Sequence, residues 1–79
     1  MIKQLANNMT RLRTNGLEIL FSYETPVAGY DEYGAFKTDK WFSSTTTKHI
    51  NKYFKANGYT SKEAREISQD EIESKINNN

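Results

Sequence analysis

Between Leu17 and Glu24 apolar and polar positions alternate with a period of two. Leu17, Ile19, Phe21 and Tyr23 share one face; Glu18, Leu20, Ser22 and Glu24 share the other. The pattern predicts a strand whose first face is core, and Leu20 predicts that the second is partly covered by a helix. Upstream, Thr10 and Leu12 alternate with Arg11 and Arg13, and Asn15-Gly16 supplies the two positive-φ residues of a type I′ turn. Met9–Arg13 and Leu17–Tyr23 are therefore expected to form a hairpin. The amide-rich stretch before Met9, with Ile2 and Leu5, fits a frayed helical turn or an edge strand equally well. Pro26 has no backbone donor and holds Thr25 extended, so the chain is expected to bend or bulge there and resume as a strand over Val27–Asp31. Asp31-Glu32-Tyr33-Gly34 reads as a turn, with Ala35–Trp41 returning antiparallel.

The period then changes. Thr46, Ile50, Tyr53, Phe54 and Asn57 fall on one side of a helical wheel, Lys48, Lys52 and Lys55 on the other, and His49 at the boundary. Five hydroxyl residues, Ser43–Thr47, precede this face, and Ser44 or Thr45 is the expected N-cap, with Gly58 as the residue after the C-cap. Tyr59–Ile67 reads as a short capped helix at Thr60/Glu63 or as an edge strand, with the strand preferred. Ser68-Gln69-Asp70-Glu71 carries the signature of a helix start, which predicts a terminal helix from Gln69 to Lys75 or Ile76, docked by Ile72 and Ile76. The fold class expected is α+β: one small domain, an antiparallel sheet of three to four strands packed by one amphipathic helix, with a short C-terminal helix. The face Leu17, Ile19, Phe21 and Tyr23 against Ile50, Tyr53 and Phe54 is the expected core.

Composition narrows the chemistry. Seventy-nine residues, 35% hydrophobic and 27% charged, can build a thin core, which leaves room for a partner or a second copy on an exposed face. Without Cys there is neither a disulfide nor a thiolate metal site, and a single His leaves no conventional zinc site, so no metal or cofactor is expected. No apolar run approaches the roughly 20 residues of a membrane helix and no leader pattern opens the chain, so a cytoplasmic protein without membrane contact is expected. The formal net charge is only +1, but it is unevenly placed: residues 1–60 sum to +3 and residues 61–79 to −2.

Candidate reaction chemistry is sparse. His49 is the one side chain poised to titrate near neutrality, with Thr45 and Thr46 beside it in sequence, but a run of five hydroxyls makes that neighbourhood almost unavoidable. The Gly residues at 16, 29, 34 and 58 are isolated and form no phosphate loop. No catalytic residue is assigned, and a non-enzymatic protein is expected. Tyr30, Tyr33 and Trp41, with Phe36, surround the second hairpin and are the candidate protein-binding residues, since Tyr and Trp anchor interfaces. The alternative is a small nucleic-acid-binding accessory protein using Lys48, Lys52 and Lys55 on the helix, extended by Arg11 and Arg13.

One stretch is similar to something known. Leu20-Phe21-Ser22-Tyr23-Glu24-Thr25-Pro26-Val27-Ala28, then Trp41, then Ser44-Thr45-Thr46-Thr47-Lys48-His49-Ile50-Asn51-Lys52, resembles a small module of unknown function from bacteriophages and other mobile elements. The resemblance covers about residues 18–58 and implies a β-meander followed by the His-containing helix. It assigns no catalytic residue. With it, the functional expectation becomes a non-enzymatic binding protein that modulates or inhibits a host or phage protein.

Overall fold

The hairpin signals around Leu17 and Gly34 belong to a larger sheet than the sequence suggested. In the computed structural model, which describes residues 1–77, β1 (Ile2–Ala6), β2 (Met9–Thr14), β3 (Leu17–Ser22), β4 (Thr25–Asp31) and β5 (Gly34–Thr38) pair antiparallel in chain order. The helix α1 (Ser44–Ala56) follows, then a 3₁₀ turn at Ser61–Glu63, β6 (Arg65–Ile67) and the helix α2 (Gln69–Asn77). β6 lies parallel to β5, so the sheet is mixed and six-stranded, in place of the three or four antiparallel strands expected. A parallel pair needs a long crossover, and α1 supplies it.

The two added strands have local causes. Asn8, at φ +61°, turns the chain between β1 and β2, so the amide-rich N-terminal stretch is an edge strand and a turn. Asn15 and Gly16 have positive φ, as the type I′ turn requires. Thr60 N–H and its hydroxyl both bond the Glu63 carboxylate, at 3.0 and 3.2 Å, which forms the short turn and releases Arg65–Ile67 as a strand. Both alternatives read for this segment are therefore present in succession.

Other boundaries moved by a few residues. β3 stops at Ser22 because Tyr23 adopts φ +58° in the β3–β4 turn, so Tyr23 is exposed instead of in the core. β5 ends at Thr38, whose Oγ1 accepts the Lys40 N–H at 3.1 Å, and Trp41 lies outside the strand. The cap of α1 is Ser43, one residue earlier than expected: it is extended, and its Oγ accepts the Thr46 N–H at 3.1 Å. Gly58 at φ +81° closes the helix, with its N–H on Lys55 O and the Tyr59 N–H on Phe54 O, the Schellman pairing. α2 starts as expected, with Ser68 Oγ accepting the Glu71 N–H.

The principal correction concerns the core. α1 packs on the Leu20 face of β3, not on the Leu17/Ile19/Phe21 face. Met9, Leu20, Val27, Ala28 and Ala35 meet Ile50, Tyr53 and Phe54 on that side. Leu17, Ile19 and Phe36 meet Ile72 of α2 on the other, with Phe21 and Ile76 partly buried against them. Both faces of the central strands are thus covered, each by its own helix. Pro26 produces the expected bulge: pairing shifts between Leu20/Ala28 and Phe21/Pro26, which sends Val27 and Ala28 to the same side. Gly29 sits where a Cβ would lie 1.9 Å from Glu18 O, so no side chain fits between β3 and β4 there.

Candidate binding surface

Period-two alternation puts Glu18, Leu20 and Ser22 under α1, and the helix answers each with matching chemistry. Leu20 meets Ile50 and Phe54 in the same cluster. Glu18, with 13% of its side chain exposed, accepts the Tyr53 hydroxyl on Oε2 at 2.5 Å and Arg13 on Oε1 at 2.9–3.0 Å. Burial, followed by that bond to Glu18, pushes the Tyr53 hydroxyl pKa well up. At the other end, Ser22 Oγ stands 2.7 Å from His49 Nδ1 and 3.0 Å from Thr46 Oγ1. The Ser43 hydroxyl donates to Thr46 Oγ1 at 3.3 Å, so a chain of hydroxyls links the helix cap to the imidazole. Burial, and then the charge of Lys52, holds His49 below its ordinary pKa.

A hydroxyl touching an imidazole invites a nucleophilic reading. Ser22 is only 2% exposed, however, and an attacking oxygen needs open space about 3 Å away for the reacting carbon. The arrangement can hold α1 in register on β3; it offers no approach to a substrate. Among the described residues, no group of three or more His, Cys, Asp or Glu is placed to hold a metal ion. No helix among them is long and apolar enough to cross a membrane.

The outer side of α1 is different. The helix carries Lys48, Lys52 and Lys55 and no acid, while α2 on the opposite face carries Asp70, Glu71 and Glu73 against Lys75. Lys3 pairs directly with Arg11 across β1 and β2, which puts both on the α1 side of the sheet. Arg11, Lys52, Leu5, Met9, Tyr53 and Asn57 line an open groove of about 310 Å³ between those strands and the helix. None of Lys3, Arg11, Lys48, Lys52 and Lys55 makes an ion pair among the described residues, and Arg11 Nε is buried without a hydrogen-bond partner. Of the acids on this side, Glu18 already has both oxygens engaged by Arg13 and Tyr53, and Glu66 of β6 lies 3.9 Å from Lys37 Nζ.

The predicted site residues divide accordingly. Lys52 and Arg11 come together in the groove, with Lys48 and Lys55 exposed along the same helix. Arg13 lies on the same face but is tied to Glu18. The three aromatics do not form one patch. Tyr30 packs under α1 against Tyr53, Phe54 and Tyr59, its hydroxyl buried without a partner and its pKa pushed up to about 12 by that burial. Tyr33 and Trp41 are 77% and 73% exposed but lie beyond opposite ends of β5. Lys3, Leu5, Ser22 and Glu18 were given no role from sequence; the polar alternation of β3 was the signal for the last two.

A model of a family of unknown function, DUF8033, matches residues 2–74. The chain belongs to that family. The match takes in β1 through most of α2, so the groove and both helices are parts of the DUF8033 fold. No curated protein and no solved structure matches the chain.

Proposed function

We propose that this DUF8033 protein is a non-catalytic binding module that engages an acidic partner protein through the outer face of α1. The observation that carries the reading is the charge on that helix: three Lys, no acid, and no ion pair to any of them among the described residues. A surface held at one sign steers an oppositely charged partner and raises its encounter rate. Exposed Tyr33 stands apart from this face, while Trp41 borders α1 across a cleft shared with Thr47 and Asn51 and serves as a secondary contact. The likeness of the Leu20–Ala28 and Ser44–Lys52 segments to a mobile-element module supports seeking the partner, whose activity the module would modulate, among proteins of a bacteriophage or its host.

Nucleic acid is the competing ligand for the same cations. A net charge of +1 works against it, although Tyr59 beside Lys55 and Lys62, and Trp41 beside Lys37 and Lys40, set rings next to cations as single-strand binders do. The deciding experiment is affinity capture with the intact protein and with the K48E/K52E/K55E variant, with and without nuclease, at low and moderate salt. A stoichiometric protein that survives nuclease and disappears with the charge reversal is the expected result. Recovery that vanishes with nuclease would replace this reading by the nucleic-acid one.

A further inference from the structure

The sheet has one long open edge, and its geometry says what can add to it. β1 is terminal in the sheet and five residues long, whereas the opposite edge, β6, has three. Met1 and Arg13 exchange both backbone bonds, at 2.6 and 2.8 Å. Bonded and non-bonded pairs alternate along an antiparallel ladder, so Lys3/Arg11 is again a bonded pair. The N–H and C=O groups of Ile2 and Gln4 therefore point outward, away from β2. A segment laid along that edge meets two donors and two acceptors at strand spacing, with Ile2 71% exposed on one side and Lys3 and Leu5 on the other.

On the α1 side the same edge opens into the groove lined by Arg11 and Lys52. Leu5, 36% exposed, supplies apolar surface over the buried Met9, and the buried Arg11 Nε lacks an acceptor. We propose that an extended acidic peptide segment of the partner adds to the free edge of β1 as a seventh strand, its carboxylates meeting Lys3, Arg11 and Lys52. Main-chain pairing gives the affinity, and alternate side chains reaching the groove give the selectivity. A polynucleotide cannot make the backbone ladder. A second copy fits poorly, because an antiparallel two-fold pairing of β1 with β1 sets both basic faces on the same side of a continuous sheet, cation beside cation.

The inference rests on the binding reading above and names the partner's contact segment. Its test uses a displayed library of random dodecapeptides, selected on the intact protein at about 100 mM salt, with binding of enriched peptides then measured by fluorescence anisotropy. Two variants separate the contributions. Gln4→Pro removes an outward N–H without breaking the β1–β2 ladder, since edge strands accept Pro where the donor faces solvent. Arg11→Gln removes the central cation. Enriched peptides should alternate acidic with apolar residues, lose at least tenfold in affinity on each variant, and shift amide resonances of β1. The amide spectrum of each variant must remain dispersed, confirming the fold. Enrichment without acids, affinity unchanged by Gln4→Pro, resonance shifts confined to the Tyr33 or Trp41 loops, or no enrichment at all would each overturn the docking. Should no peptide be enriched while the charge-reversal experiment still identifies a protein partner, the β1 docking falls and the α1 reading stands. If the protein dimerises through β1, the edge is already occupied and the docking falls as well.

Discussion

Two tyrosines a few ångströms apart show how differently one atom type contributes at the residue scale. Tyr53 donates a hydrogen bond from its hydroxyl to Glu18, while the Tyr30 hydroxyl, in ring contact with Tyr53, is buried with no partner. A buried donor that is bonded contributes about 1.5–3 kcal/mol when its partner is charged, whereas an unbonded one only adds a desolvation cost. Tyr53→Phe should therefore destabilise by about 1.5–3 kcal/mol, because it also strands one oxygen of Glu18. Tyr30→Phe should be neutral or stabilising by up to about 1 kcal/mol. Urea denaturation of the two variants tests the pair, and the order reversed would refute the assignment of Glu18 to Tyr53. Nothing in the residue pattern distinguishes these tyrosines: both lie at positions that face the interior, and only the registration of α1 on β3 decides which hydroxyl finds the carboxylate.

Elements were more legible than their partners. The alternation of β3, the Asn15-Gly16 turn, the Pro26 bulge, the Gly58 stop and the Ser68 start all express local backbone preferences, and all appear where the residues put them. Assigning α1 to its face of the sheet is a different problem. Leu17, Ile19 and Phe21 form the more apolar row, which invites pairing with the longer helix. Yet α1 presents Thr46, His49 and the Tyr53 hydroxyl alongside Ile50 and Phe54, and those polar groups find their partners in Ser22 and Glu18. Matching polar with polar, instead of the most apolar row with the longest helix, gives the observed arrangement. Each of the two outer strands reads with a helical alternative beside it for another reason: β1 is mostly exposed and β6 is three residues long, so neither leaves a strong alternation.

This polar match makes the helix sensitive to pH. His49 is held below its ordinary value of 6.5 by burial and then by Lys52, and Ser22 and Thr46 complete its surroundings together with the Tyr23 ring. The unfolded chain therefore takes up the proton first as pH falls. The native state is at full stability above about pH 6.5, and stability declines from there until the lowered native value is passed. His49→Gln should remove that decline while leaving behaviour above pH 7 little changed. Melting temperature measured between pH 5 and pH 8 on both proteins decides the point; parallel curves would show that His49 is not the titrating group.

At the scale of the whole molecule, the two helical layers are held by different chemistry. α1 is fixed by the hydroxyl chain and the Tyr53–Glu18 bond, whereas α2 and β6 are both tied to β4 through Asp31. Its Oδ2 accepts Lys75 Nζ at 2.9 Å and Arg65 at 2.8 Å, and its Oδ1 accepts the Tyr33 N–H at 2.9 Å. Burial by itself would raise this carboxyl, but the bonds from Lys75, Arg65 and the Tyr33 backbone overcome it and hold the pKa below the ordinary 3.8. A depressed carboxylate contributes stability above its unfolded value and loses it as pH falls through the folded one, so this contribution begins to fail only below about pH 4. Acid should thus loosen the α1 layer first, through His49, and the α2 layer later, through Asp31. Asp31→Asn should cost about 2–3 kcal/mol at pH 7, less than a fully buried pair because Arg65 is partly exposed, and should abolish the lower-pH step. Amide exchange followed by mass spectrometry at pH 3 to 7, corrected for intrinsic exchange rates, reads the layers separately. Protection lost from Ile72–Ile76 before Ile50–Phe54 would contradict the order, since it would mean that the Asp31 cluster fails before the imidazole is charged.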